Sequence, residues 1–160
     1  MSVNIVVHHV NKVCADTHLD IVRQELKTLE QLMPPWLERI ELKYDSKDQE
    51  DLLYVETNCA RRYVELYICD GFTQIDFDAK REALVHEIAH VILAPISELL
   101  VSLCDYLEKA TESPPMVKVL RTLADELEEF TVVDLIRIMR QLEPAQFGIG
   151  FDSPRLADCA

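Results

Sequence analysis

Apolar residues recur along this chain with two different periods, and the change of period divides it into three parts. Residues 3–10 are β-branched and apolar before turning polar, and a short strand or the start of a helix both fit them. Over residues 16–33, Leu19, Val22, Leu26, Leu29 and Met33 form a stripe at helical spacing. Asp16 or Thr17 can cap this helix, and Pro34-Pro35 stop it. Trp36, the single tryptophan, is expected against the core.

The period then drops to two. Ile40, Leu42 and Tyr44 alternate with Arg39, Glu41 and Lys43, the pattern of a half-buried strand over 38–44. A charged loop over 45–51 leads to a second strand over 52–57. A third, over 61–69, sets Val64, Leu66 and Ile68 on one face and Tyr63, Glu65 and Tyr67 on the other. Asp70-Gly71 then reads as a turn, with a short fourth strand over 72–77. From residue 80 the chain is helical. One helix has no breaker between Lys80 and Ala94, and Pro95 ends it or opens the next. A second helix over about 97–112 carries Leu99, Leu100, Leu103 and Leu107, and Pro114-Pro115 break it. A long amphipathic helix covers 116–142, Pro144 ends it, and residues 144–160 are expected to be an irregular tail. The fold class expected is α+β, as a single domain over 1–160: an N-terminal helix, a three- to four-stranded sheet, then three helices.

Composition narrows the function more than the fold. Only 3 glycines are present, and no phosphate-binding glycine motif occurs, so nucleotide chemistry has no support. The net charge of −13 repels nucleic acid and anionic membranes. Five cysteines, an odd number with no C-x-x-C pair, fit reduced thiols better than a disulfide frame. The first residues lack a basic segment and a long apolar core. Neither a signal peptide nor a membrane span is expected, and the expected compartment is the cytoplasm.

The chemistry is concentrated at residues 84–93, Leu-Val-His-Glu-Ile-Ala-His-Val-Ile-Leu. His86 and His90 are four apart, so they project side by side from one helix face and can share one metal ion. Glu87 is placed to reach a metal-activated water without being a ligand. The rest of this helix is apolar, and imidazoles and a carboxylate on a buried helix are costly unless something pairs with them. The plain alternative is two satisfied core histidines and a surface Glu87.

A catalytic zinc takes three protein ligands and keeps a position for water. A continuation H-x-x-G-x-x-H would require Gly and His where this chain has Leu93 and Ile96. No histidine follows His90, so a ligand from downstream must be a carboxylate. The helix at 124–136 sets acidic residues among apolar ones, with Glu128 and Glu129 at its most apolar part. Asp125, Asp134 and the His8-His9 pair are further candidates.

His86-Glu87-Ile88-Ala89-His90, preceded by Arg81-Glu82 and followed by Glu129, Val132 and Leu135 on a later helix, resembles the gluzincin group of zinc metallopeptidases. It is most similar to the compact single-domain zincins encoded by phages and prophages. The likeness spans roughly residues 38–142 and implies zinc, His86 and His90 as ligands, Glu87 as general base, and a glutamate as third ligand. That ligand maps to Glu129 first and Glu128 second. The chain departs from larger gluzincins in lacking a separate C-terminal subdomain, an Asn-Glu-x-x-x-Asp segment, and a downstream histidine to steady a tetrahedral intermediate. Tyr63, Tyr67, Tyr106, His8 and His9 are the residues left for that last task.

The expected activity is zinc-dependent hydrolysis of a peptide or protein substrate. The substrate would pair with an edge strand formed by 61–69 or 72–77. The alternative is a non-catalytic zinc-bearing module used in regulation or assembly on the same scaffold.

Overall fold

A computed structural model describes residues 3–10, 13–46, 52–110 and 114–142. The chain is of mixed α+β architecture: a four-stranded sheet with helices on one face. The elements are β1 (Asn4–Val7), α1 (Val13–Thr28), β2 (Arg39–Asp45), β3 (Leu53–Asn58), β4 (Tyr63–Cys69), α2 (Asp70–Gln74), α3 (Phe77–Ala110) and α4 (Pro114–Leu142). The β-branched run at 3–10 is a strand. The tail at 144–160 lies outside the described residues.

Strand order is β1-β2-β4-β3. β1, β2 and β4 are mutually parallel, with Ile5 opposite Ile40 and Leu42 opposite Leu66. β3 lies antiparallel on the outer edge of β4, with Val55 opposite Leu66. Alternation along the strands sends Ile40, Leu42, Val64, Leu66 and Ile68 into the core with Leu19, Val22, Leu26 and Leu29 of the first helical segment. Full burial of side chains of this size stabilises the fold by about 1.5–3 kcal/mol each before chain entropy is subtracted. The other sheet face is polar: Tyr67 stacks on Tyr54 at 4.5 Å between ring centroids, Lys43 bonds to Glu65, and Arg39 lies 5.0 Å from the centre of the Tyr63 ring.

Two expectations fail. Residues 72–77 form no strand; Asp70–Gln74 is a short helix instead. β4 is already paired on both sides, by β2 and β3, so a strand continuing from it has no free edge beside it. Phe72 is fully buried, and Thr73 Oγ1 donates to the Asp70 carbonyl at 2.8 Å, which closes the helical turn. The second failure is at Pro95, which neither ends a helix nor opens one. α3 is a single helix of 34 residues running through it. An interior proline costs about 3 kcal/mol or more through its missing N–H and its ring. The helix continues with both flanks held: Ala94 and Cys104 are buried, and Glu98 accepts from the Cys59 amide at the end of β3. One helix, α4, therefore follows the motif helix where two were expected.

The ends of the elements show how the motif helix is aimed. Asp76 Oδ1 accepts from the Ala79 amide at 2.8 Å, an N-cap that starts α3. Arg62 closes the β3–β4 turn with φ of 58°, a conformation that disfavours a residue with a Cβ. Its side chain offsets that cost by donating from Nε to the Trp36 carbonyl at 2.8 Å and pairing with Glu38. Its own carbonyl accepts from the Glu38 amide at 2.8 Å.

Candidate metal centre

α3 packs one side on the sheet, through Leu84, Ile88 and Val91. His86 and His90 point to another side, toward α4. Their Nε2 atoms are 3.2 Å apart, with ring centroids at 4.9 Å and ring planes inclined by 72°. α4 runs antiparallel to α3, since Arg121 meets Asp105 and Glu108 while Glu128 meets His90. Val117 and Val132, both buried, seat α4 in this position.

α4 delivers two neighbouring carboxylates to the histidines, and they do different things. Glu129 reaches the inner nitrogens: its Oε1 lies 3.3 Å from His90 Nε2 and its Oε2 lies 3.8 Å from His86 Nε2. Glu128 reaches the far side of the ring, with Oε1 at 2.9 Å from His90 Nδ1. A carboxylate only accepts, so this contact puts the proton of a neutral His90 on Nδ1 and leaves the Nε2 lone pair facing inward.

The donor atoms of His86, His90 and Glu129 all lie within 4.8 Å of one another. Ligands bound about 2.0–2.1 Å from a tetrahedral zinc are spaced roughly 3.3 Å apart; the two imidazole nitrogens stand 3.2 Å apart, and one carboxylate oxygen of Glu129 faces each ring, at 3.3 and 3.8 Å. The chemistry of the set points the same way. A lone pair of His90 and a carboxylate of Glu129 converge at 3.3 Å, two acceptors that a cation between them would reconcile. Burial, and then the neighbouring His90, hold the His86 pKa below the ordinary histidine value, with Glu129 opposing. That keeps its imidazole neutral, the form that binds metal. The group has the donor set of a site that could hold a metal ion.

The site opens to solvent. His90, Asp125, Glu126, Glu128, Glu129 and Phe130 line a cleft of about 730 Å³. Glu87 is half-buried and lies 100° around α3 from His86. It borders a small apolar space in the core between α3 and the sheet, lined by Leu26, Ile40, Val55, Val64, Leu66 and Ile88.

Asp125 lines the cleft without joining the donor group, and the remaining candidates are elsewhere. Tyr63 and Tyr67 stand on the sheet face opposite the helices, in contact with Arg39 and Tyr54. His8 pairs with Glu41 at 3.4 Å, and His9 with Asp16 at 3.4 Å. Tyr106 is exposed far along α3, and Asp134 pairs with Arg137 at 3.0 Å. Two residues were missed as contributors. Phe130 walls the cleft, and nothing in its α4 context distinguishes it in sequence. Glu98 accepts from the Cys59 amide at 2.9 Å and binds the motif helix to the end of β3. The Cys59 thiol beside it is pushed up to about 11 by burial and by Glu98, which makes it a poor nucleophile.

Comparison of the chain with protein-family models, with curated proteins and with solved structures returns no match.

Proposed function

We propose that this chain is a small zinc-dependent metallopeptidase of the gluzincin type, with His86, His90 and Glu129 as ligands and Glu87 as general base. The observation that carries this reading is the convergence of two imidazole nitrogens and one carboxylate at separations of 3.2, 3.3 and 3.8 Å. Zinc, when bound, supplies Lewis acidity toward a water and a peptide carbonyl. Glu87 accepts the proton of that water as its oxygen adds to the carbonyl carbon. It then gives the proton to the leaving amine nitrogen as the C–N bond breaks. Glu128 holds His90 in the tautomer that keeps Nε2 free. The outer edge of β3 is the proposed substrate rail: it is the antiparallel edge strand, and α3, which carries the histidines and Glu87, packs against β3. A peptide adding there as a further strand would run past the ligands with its backbone held by hydrogen bonds. The edge expected from the sequence, 61–69, is interior, because β3 covers it.

One observation favours the second reading, a zinc-bearing regulatory or assembly module without hydrolysis. Among the described residues lining the cleft, no tyrosine or arginine and no histidine besides His90 is available to stabilise an oxyanion. Elemental analysis of the purified protein with a broad peptide-cleavage screen separates the two. Zinc at one per chain with cleavage lost in Glu87→Gln supports the enzyme. Zinc without cleavage of any peptide supports the module, and no zinc overturns both.

A further inference from the structure

We propose that the outer face of the α3–α4 hairpin is an interface between two copies of this chain, which join as an antiparallel four-helix bundle. Along α3, Val85, Ile88, Ile92, Ile96, Leu99, Leu103 and Tyr106 form one stripe at steps of three and four. The first three pack into the core, and from Ile96 onward the helix outruns the sheet and the stripe is uncovered. On α4, Met116, Leu120, Leu123, Leu127 and Phe130 repeat the same steps. These nine residues, from Ile96 to Phe130, are 38% to 70% exposed. Strict alternation of four and three is the seam of helices that pack against other helices. This seam is separate from the residues that hold α4 on α3, such as Val117 and Val132.

The size of the patch argues for a partner. Nine large apolar residues at this exposure present roughly 1,000 Å², where the largest patch on a typical monomer is about 300–600 Å² and each side of a standard interface gives about 800 Å². The pattern argues for a second copy. The hairpin carries two antiparallel seams of matching period, so a two-fold axis across it lays α3 of one chain on α4 of the other and closes the assembly. The seam holds no charged residue, so the net charge of −13 sits on its rim and elsewhere and does not meet itself at close range. α3 is also long and apolar enough to cross a membrane by length and composition. Its first half is taken by the sheet, however, and so acidic a chain is repelled by anionic lipid. The interface would end at Phe130, which is also a wall of the cleft, and would set the second hairpin beside the opening.

Sedimentation velocity and light scattering of the full chain over a concentration series test this. The expected result is the mass of two chains, falling to one in the double variant Leu99→Glu, Leu127→Glu with an unchanged circular dichroism spectrum. Should that variant lose its fold, Leu99→Ala with Leu127→Ala keeps the seam apolar and is expected to weaken dimerisation by at least roughly tenfold. A wild-type chain of single mass at every concentration overturns the proposal, whether or not it then floats with phosphatidylcholine vesicles. A dimer indifferent to both double variants overturns it equally, since the contact would lie on another face.

Discussion

Glu128 and Glu129 are consecutive residues, yet they hold opposite sides of one imidazole ring: Glu128 lies against Nδ1 of His90 and Glu129 against Nε2. A helix turns 100° per residue, so adjacent positions rarely serve one side chain. They do so here because the ring of His90 offers a nitrogen on each side, and each carboxylate of α4 reaches one of them. In the proposed zinc site this relationship would separate a ligand from the group that orients the ligand beside it.

The two glutamates should therefore fail differently. Glu129→Ala removes a ligand and should abolish tight zinc binding. Glu128→Gln keeps a hydrogen-bond acceptor and should lower affinity by about 10-fold or less, whereas Glu128→Ala should cost 10–100-fold. Competition titration with a chromophoric chelator reads all three. A larger loss in Glu128→Ala than in Glu129→Ala would exchange the two roles.

Glu87→Gln should leave zinc content and thermal stability near wild type and reduce peptide hydrolysis by about 10²–10⁴, the usual worth of a positioned acid–base group. Single-turnover assays on a substrate found in the screen measure it. Hydrolysis at the wild-type rate would remove Glu87 from the mechanism.

Removing the metal should destabilise the chain, because the ligands lie on two helices and zinc binds them together only in the folded state. A free metal concentration 1,000-fold above Kd adds about 4 kcal/mol. Calorimetry with and without chelator should show a lower Tm for the chelated protein and little change for His86→Ala. The same Tm for wild type in both states would place any bound zinc outside the fold.

His18 predicts a pH dependence of stability. It is 2% exposed, lies edge-on to Phe72, and its Nδ1 has no hydrogen-bond partner among the described residues. Burial, and then the charge of Lys80, lower its pKa in the folded chain. The folded state thus binds this proton less readily than the unfolded chain does. Its contribution is complete above the unfolded value of about 6.5 and is lost as pH falls from there toward the lower folded value. Urea titrations of the chelated protein at pH 7.5 and 5.5 should show less stability at the lower pH, and the difference should shrink in His18→Leu. An equal pH difference in that variant would assign the effect to other groups.

What could be read in advance follows from where each signal is stored. Period two holds along β2 and along β4, which starts at Tyr63 because Arg61 and Arg62 belong to the turn before it; each strand has one buried face, and a slip would turn Glu41 or Glu65 into the core. The i, i+4 spacing of His86 and His90 likewise needs only a helix. The strand order was not legible: that β4 lies between β2 and β3 is a property of pairing across the sheet, and no local pattern encodes it. The reading of 72–77 failed for this reason, since Asp70-Gly71 signals a turn but cannot report that β4 has no edge left. Pro95 misled similarly, as its local cost is real but the helix runs through it, with Ala94 and Cys104 buried and Glu98 bonded to the end of β3. At the site, the choice between Glu128 and Glu129 depends on the angle at which α4 meets α3, and both glutamates turned out to reach His90.

The bond from the Cys59 amide to Glu98 has a mechanical consequence. Glu98 lies just over two turns beyond His90 on the same unbroken helix, and Cys59 directly follows β3. The helix that carries the histidine pair and the end of β3 are thereby tied together, and in the proposed enzyme the distance between the histidines and the edge strand is set by the fold. Glu129 rides on a different beam. In the proposed site, a metal would bridge the two helices, so that α3 sets the spacing and α4 closes on it.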